Sequence, residues 1–405
     1  MRAVFVNHVP PQAPTIGGQR VARLAHAMAS LGHQVVLLTS TDGTGETGTP
    51  LEGLAEALAG HDWTRPFHIA VHPRHAPYLP GMRTGGVPGG LRQAMIGVSY
   101  MLNSGVFTDW TDAARAYVPA LRENFGPDVV WACFGNTDAW NIGRMTAAAC
   151  KCPWVADFKD PWDIFIPTGF RRILAGRYRD AAAMTTFSDA HSRRAAPWFD
   201  QPKTVVYSGL ATEMLDVSDA PPDAPPTLLM TGSVYDERRL ETFLGVLAEW
   251  RRAHPGEPFR FAYAGGDASL VRHAATALDG LADVVIDDFL PLDELRRRQL
   301  AATANAYIRA PSSRSIFHHK VFELLSAARP VICFPEDVPE VTDIARKTGA
   351  VLLNCVSDGD LADALDSAFT REMSVTSGAF RPYTWESQAG VLAGVLERAA
   401  AEGRP

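Results

Sequence analysis

The sequence predicts an α/β fold of two Rossmann-like domains, each a parallel sheet covered by helices on both faces. Three observations carry this reading. The chain has 405 residues, more than a single hydrophobic core comfortably holds. Short apolar runs alternate with helix-period segments, as in βα units whose strands are buried on both sides. Midway, a polar proline-rich stretch at 216–226, DVSDAPPDAPP, breaks the alternation, and a new apolar run follows it at once.

The first half opens with a strand at 2–6. The loop NHVPPQAPTIGGQR leads into a helix whose Val21, Leu24, Ala25, Met28 and Leu31 share one face, and Gly32 ends it before the strand VVLLTS. Residues 41–118 are rich in Gly, Pro and Thr up to about Gly90. They then become an irregular helical stretch, LRQAMIGVSYMLNSGVFTDWTDAARAYV. Its apolar spacing predicts packing against the sheet, with peripheral contact to a membrane as the other reading. DVVWACF at 128–134 is a buried strand. PWVADF follows as another, with Asp157, Lys159 and Asp160 at its polar tip. MTTFSDA at 184–190 and TVVYSGL at 204–210 complete this half. In the second half the strands are TLLMT, FRFAYA, ADVVIDD, NAYIRA, PVICF and AVLLN. The expected organisation is a first domain over 1–210, a linker over 211–226, a second domain over 227–380 and a terminal helix over 381–405.

Composition excludes several classes. The chain is 46% hydrophobic and 20% charged, the balance of an ordinary globular protein. A net charge of −7 argues against a nucleic-acid partner. Cys133, Cys150, Cys152, Cys333 and Cys355 form no CxxC pair, so neither a zinc site nor a disulfide framework is indicated. Neither sheet opens with G-x-G-x-x-G, which speaks against a dinucleotide cofactor. The chain enters its first strand without an apolar leader, and no run reaches the roughly 20 apolar residues that span a bilayer. A cytoplasmic location is therefore expected.

The most informative segment is 311–335, PSSRSIFHHKVFELLSAARPVICFP. A strand ends near Ala310, a Ser-rich turn follows, and a helix carries Lys320 and Glu323 to about Ala328 before Pro330 opens the next strand. Lys320 and Glu323 lie three positions apart near the helix start and so share a face, at the end of the sheet where open α/β folds bind ligands. A solvated Lys/Glu pair is the plain alternative for such spacing. The segment resembles the donor-binding signature of retaining glycosyltransferases of the GT-B fold: Pro-Ser, a glutamate, Gly-Phe-Gly, a second glutamate, then Ala-x-Gly-x-Pro-Val. Glu323 falls on the second glutamate, which in that family holds the nucleotide ribose. Ser315 stands where the first would touch the donor sugar. Ile316, Phe317 and His318 replace the Gly-Phe-Gly turn, and Arg329 replaces the glycine before Pro330. Lys320 with Glu323 is similar to the Lys-x-x-Glu variant of the motif, in the manner of family 4.

Other segments carry the same resemblance. MTGSVYDERRL at 230–240 resembles the element whose two cations bracket the diphosphate. Gly232 matches, Ser233 replaces the arginine, and Arg238 falls on the lysine, with Arg239 or Lys320 able to supply the missing cation. Gly17-Gly18 lies where the family places a loop facing the donor phosphates. Asp157-Phe-Lys-Asp-Pro-Trp resembles an acceptor-side element, so Asp160 or Asp157 is a candidate to position an acceptor hydroxyl. Phe289 lies where the chain passes the base, and 380–399 resembles a terminal helix that returns to the first domain.

The resemblance implies a glycosyltransferase that moves a sugar from a nucleotide-diphosphate donor with retention of configuration, from two sheets facing across a cleft. The expected catalytic residues are Asp160, Arg238 and Lys320. The expected donor contacts are Gly17, Gly18, Gly232, Ser233, Arg238, Phe289, Ser315, Phe317, His318, His319, Lys320 and Glu323. Neither a metal nor a separate cofactor is expected, since the nucleotide sugar is a co-substrate and Asp287-Asp288 is adjacent rather than spaced as Asp-x-Asp. The acceptor is expected to be a small molecule, a glycan or a lipid-linked sugar. Two other classes remain open: a nucleotide-sugar epimerase, and an inactive binding partner of the same fold.

Overall fold

A computed structural model describes residues 1–13, 15–42, 45, 47–73, 78–215, 224–309, 317–370 and 378–403. Two units emerge. One comprises Met1–Gly209 with Trp385–Pro405, the other Leu210–Thr384. Of the 216–226 stretch, residues 216–223 lie outside the described residues.

The first unit holds β1 (Arg2–Asn7), β2 (Gln34–Ser40), β3 (Phe67–Val71), β4 (Val129–Cys133), β5 (Trp154–Phe158), β6 (Ala183–Thr186) and β7 (Lys203–Val205). They form one sheet in the order β3-β2-β1-β4-β5-β6-β7, and every pairing is parallel. Strand alternation divides the core between two faces. Val4 and Val6 point to the side of Trp110, Trp140 and Trp162. Ala3 and Phe5 point to the helix Ile16–Ser30 and to the terminal helix Trp385–Glu402. That terminal helix buries Trp385, Ala389, Leu392, Leu396 and Ala399, a helical stripe that covers the first sheet although the chain arrives from the second unit.

The second unit holds β8 (Thr227–Thr231), β9 (Arg260–Ala264), β10 (Asp283–Asp287), β11 (Ala304–Ile308), β12 (Val331–Phe334) and β13 (Leu352–Asn354). Their order is β10-β9-β8-β11-β12-β13, again all parallel. In each sheet the order reverses once, between β1 and β4 in the first and between β8 and β11 in the second. At such a reversal the connections leave to opposite faces and open a crevice at the strands' carboxyl ends.

Three expectations need correction. The stretch after Thr41 contains a full strand, β3, which pairs with β2. Phe67, Ile69 and Val71 alternate there as a strand requires, but the surrounding Gly and Pro obscured them. Leu31 is the last-turn cap and is exposed rather than part of the apolar face. The helix Gly89–Asn103 buries Ser99 and Tyr100 but turns Leu91, Val98, Met101 and Leu102 outward, so core packing accounts for only one of its sides.

Candidate functional site

The crevice of the second sheet begins at Gly232, directly after β8. Its φ of +84° is the left-handed region that side chains disfavour. Gly232 N–H donates to the Ala264 carbonyl at 3.0 Å, and its own carbonyl accepts from the Tyr263 hydroxyl at 2.7 Å. That hydroxyl also accepts from Asp267 N–H at 3.1 Å, and the Asp267 carboxylate takes the Val234 N–H at 2.8 Å. The turn after β8 is thus pinned to the next strand by a buried tyrosine and one carboxylate.

Lys320 reaches this turn from across the reversal. A Cβ placed on Gly232 would stand 3.5 Å from its Nζ, which lies 5.4 Å from the centre of the Tyr307 ring. Among the described residues the Lys320 ammonium forms no ion pair. Burial pushes its pKa down to about 8, against the opposing pull of Cys333, Asp337 and Glu323. Beneath it lies a network that motif reading missed. Tyr307 donates to Asp337 Oδ2 at 2.5 Å, Val338 N–H donates to Oδ1 at 2.7 Å, and Arg309 stands 3.4 Å from the same carboxylate. Burial raises the Asp337 carboxyl even so. The available signal was position: Tyr307 lies near the end of β11, Arg309 directly follows it, and Asp337 follows β12, all at carboxyl ends of strands.

Lys320 and Glu323 open the short helix Lys320–Leu325. The Glu323 carboxylate lies 3.4 Å from His319 Nε2, and the Glu323 backbone carbonyl accepts from Arg296 at 2.9 Å. His318 stacks on Tyr235 with ring centres 6.0 Å apart. Its Nε2 has no partner among the described residues. Burial first, then Lys320 and Arg309, lower its pKa to about 4, so the ring is neutral at pH 7. Phe317 is buried and packs on Phe322 at 5.6 Å, which anchors the turn rather than lining it. Phe289 is 81% exposed, and its ring lies over Gly266, where an added Cβ would come within 2.9 Å.

The structure therefore brings Gly232, His318, Lys320 and Glu323 to one end of the second sheet, with Ser233 in the same turn and Phe289 beyond β10. Arg238 stands exposed in the first turn of the helix Glu237–Ala253. Its neighbour Arg239 pairs with Asp236 at 3.2 Å and donates to the Arg309 carbonyl at 3.4 Å. Ser315 and Ile316 lie outside the described residues.

Gly17, Gly18 and Asp160 belong to the first unit. A Cβ on Gly18 would collide with the Pro10 carbonyl, so that glycine is demanded by the loop itself. Gly17 instead faces Lys159, whose Nζ would lie 3.6 Å from an added Cβ. Lys159 pairs with Asp160 at 2.6 Å. Asp157 has another task. It is fully buried and receives Arg20 at 3.0 Å and the Thr185 hydroxyl at 2.6 Å, so it presents nothing to an acceptor. Sequence reading also missed His8, directly after β1, which pairs with Asp42 at 3.2 Å and packs on Phe107. Among the described residues no group of three or more His, Cys, Asp or Glu is placed to hold a metal ion.

Two parallel sheets with one reversal each, the second bearing the polar crevice, invite comparison with solved structures. A glycosyltransferase from Rickettsia africae superposes with a TM-score of 0.64 at 11% identity, over 98% of both chains. The chain has the GT-B fold. The Anabaena protein HepE, solved in complex with UDP-glucose, gives 0.54 at 13% identity over 100% of this chain and 98% of that one. A UDP-GlcNAc 2-epimerase from Methanocaldococcus jannaschii gives 0.53 at 10%, over 98% and 100%. No protein-family model matches the sequence, and no curated protein does. At these identities the likeness is one of GT-B architecture, which hosts both transfer and epimerisation.

Proposed function

We propose that the protein is a glycosyltransferase that takes a sugar from a nucleoside-diphosphate donor bound at the carboxyl end of the second sheet. One observation carries the reading. The Lys320 ammonium sits against the Gly232 turn, at the reversal of the strand order, without an ion-pair partner among the described residues. An unpaired, half-buried cation at that place favours an anion, and a departing diphosphate gains charge as the glycosidic bond breaks. Glu323 then accepts from the ribose hydroxyls, a task its two carboxylate oxygens suit because each can take one proton. Retention of configuration follows the sequence resemblance, and the NMR coupling of the product's anomeric proton tests it.

Glu323→Gln is expected to weaken nucleotide binding by about 1–3 kcal/mol, the scale of losing charge-assisted hydrogen bonds. Titration calorimetry measures it. Unchanged affinity in a folded variant would remove Glu323 from the site.

Fixed cations neutralise the diphosphate in this reading, Lys320 from the Gly232 turn and Arg238 from the first turn of the helix Glu237–Ala253. Turnover is expected to persist in EDTA, and Arg238→Ala to lower it by roughly 10²-fold, the loss typical of one electrostatic contact to the transition state. Activity that disappears with EDTA and returns with a divalent ion, while Arg238→Ala behaves as wild type, would overturn this part of the mechanism.

Epimerisation is the second reading, and His318 favours it: a neutral imidazole with an unpartnered Nε2 beside the same turn is suited to proton transfer. Incubation with nucleotide sugar alone separates the readings. An epimer identifies the epimerase, whereas slow hydrolysis without epimer identifies the transferase and excludes an inactive binding partner.

A further inference from the structure

Arg296 lies on the helix Leu292–Ala301, and its partly buried guanidinium crosses to the helix that carries Glu323. Nη1 donates to the Glu323 carbonyl at 2.9 Å. Nη2 donates to the Ser326 carbonyl at 2.9 Å and to the Met214 carbonyl at 2.5 Å. All three acceptors are neutral. Among the described residues Arg296 forms no ion pair, and its buried Nε has no hydrogen-bond partner. Burial lowers its pKa to about 10, and the Glu323 carboxylate opposes the fall.

A guanidinium held this way is costly. Removing charge from water is repaid only by close pairing, and an orphan N–H adds the penalty of an unmade bond. Local rules broken in this manner are expected where function demands a geometry. The helix Lys320–Leu325 has only six residues, far fewer than an isolated helix needs, so groups outside it set its orientation. The rigid fork of a guanidinium fixes the bearing of each carbonyl it takes. A residue's carbonyl and side chain leave the same Cα, so holding the Glu323 carbonyl fixes where its carboxylate points. The Ser326 hydroxyl donates to that same carbonyl at 3.0 Å. The Glu323 carboxylate meets His319 Nε2 at 3.4 Å, longer than a good hydrogen bond.

We propose that Arg296 is a positioning residue for nucleoside recognition: it aims the Glu323 carboxylate at both ribose hydroxyls, so that the site selects ribonucleoside over 2′-deoxyribonucleoside diphosphates. The inference rests on the donor-site reading above and assigns Arg296 no contact with the ligand. Its charge attracts the carboxylate without occupying the oxygens, since its printed bonds all go to backbone carbonyls. Each carboxylate oxygen then takes one hydroxyl proton, and a 2′-deoxy sugar leaves one of them unmatched. Arginine at helix carbonyls also serves as an ordinary C-terminal cap. A cap alone stabilises the helix and would affect ribose and deoxyribose ligands alike, which separates the two roles.

The test is titration calorimetry of the full chain with UDP, GDP and the 2′-deoxy form of each, applied to wild type, Arg296→Gln, Glu323→Gln and the double variant, with circular dichroism for folding. Wild type is expected to bind its ribonucleotide about tenfold or more tighter than the deoxy form, the worth of one charge-assisted hydrogen bond. Arg296→Gln is expected to cut that ratio to about threefold or less, because a misaimed carboxylate loses the bond to the 2′-hydroxyl. Adding Glu323→Gln to Arg296→Gln should change the ratio little, since residues acting through one contact are not additive. Should Arg296→Gln not fold, Arg296→Lys keeps the charge without the fork and is expected to lower the ratio as well. A folded Arg296 variant that keeps the wild-type ratio, while Glu323→Gln lowers it, overturns this proposal and leaves the donor site standing. Equal weakening of both sugar forms, or failure of both variants to fold, also overturns it, because either marks a structural cap alone. A wild-type ratio in Glu323→Gln, or binding of neither ribonucleotide, strikes the donor-site reading and this inference with it.

Discussion

Replacing Lys320 with alanine is expected to lower turnover by roughly 10²-fold or more, the scale of removing one fixed charge from a transition state that develops charge. The geometry behind this is local. Nζ stands at the Gly232 turn, over the Tyr307 ring, with Asp337 and Arg309 beneath. The neighbouring cations are engaged, Arg309 by Asp337 and Arg239 by Asp236, whereas Lys320 forms no ion pair among the described residues. The substitution removes a long side chain from a partly buried place, so circular dichroism should accompany the kinetics. A folded Lys320→Ala protein with wild-type turnover would refute the assignment.

The same residue predicts a pH profile. Its pKa is lowered from the ordinary lysine value to about 8, so in the free protein the ammonium is lost as pH rises through 8. An anionic ligand stabilises the charged form and raises that pKa, so binding takes up a proton above pH 8. Affinity for a nucleoside diphosphate should therefore level off once the ligand's terminal phosphate is ionised, at about pH 7, and fall above pH 8, by up to tenfold per unit. Lys320→Arg, whose guanidinium stays charged, should flatten the profile. An affinity that rises with pH above 8 would carry the wrong sign for a cationic site.

The largest expected effect on stability lies in the first unit. Asp157→Ala leaves Arg20 fully buried and without its carboxylate, and strips the Thr185 hydroxyl of its acceptor. Breaking a buried ion pair from one side costs about 3–5 kcal/mol. The melting temperature of the first unit should then fall by on the order of 10 °C in calorimetry. Removing both partners, as Arg20→Met with Asp157→Leu, should recover much of the loss, because no unpaired charge remains. A double variant as unstable as Asp157→Ala alone would show that the pair contributes more than the avoidance of a stranded charge.

Much of the fold is legible in the sequence because it rests on local patterns. Buried parallel strands announce themselves as apolar runs, as in RAVFV and PVICF, and the stripe Val21, Leu24, Ala25 and Met28 marks a helix that the structure buries. β3 escapes because only five residues carry its alternation and the flanking Gly and Pro obscure them. The outward stripe of Gly89–Asn103 escapes because periodicity identifies a face without saying what covers it. The candidate site divides in the same way. Lys320 and Glu323 are visible as a pair because three positions separate them. Tyr307 and Asp337 are 30 positions apart and meet only because β11 and β12 pair in parallel register. Asp157 shows the converse: its setting at a strand tip resembles an acceptor contact, but Arg20, 137 positions away, claims it for the core.

Titration calorimetry with UDP, GDP and dTDP in turn tests the central claim most directly, applied to the wild-type chain, to Lys320→Ala and to Asp160→Asn. One of the three nucleotides is predicted to bind at a single site per chain. Its affinity should fall about tenfold or more in Lys320→Ala, the loss of one charge-assisted contact, and stay unchanged in Asp160→Asn. Binding of none of the three, or equal binding by wild type and a folded Lys320→Ala, would contradict a donor site at the carboxyl end of the second sheet.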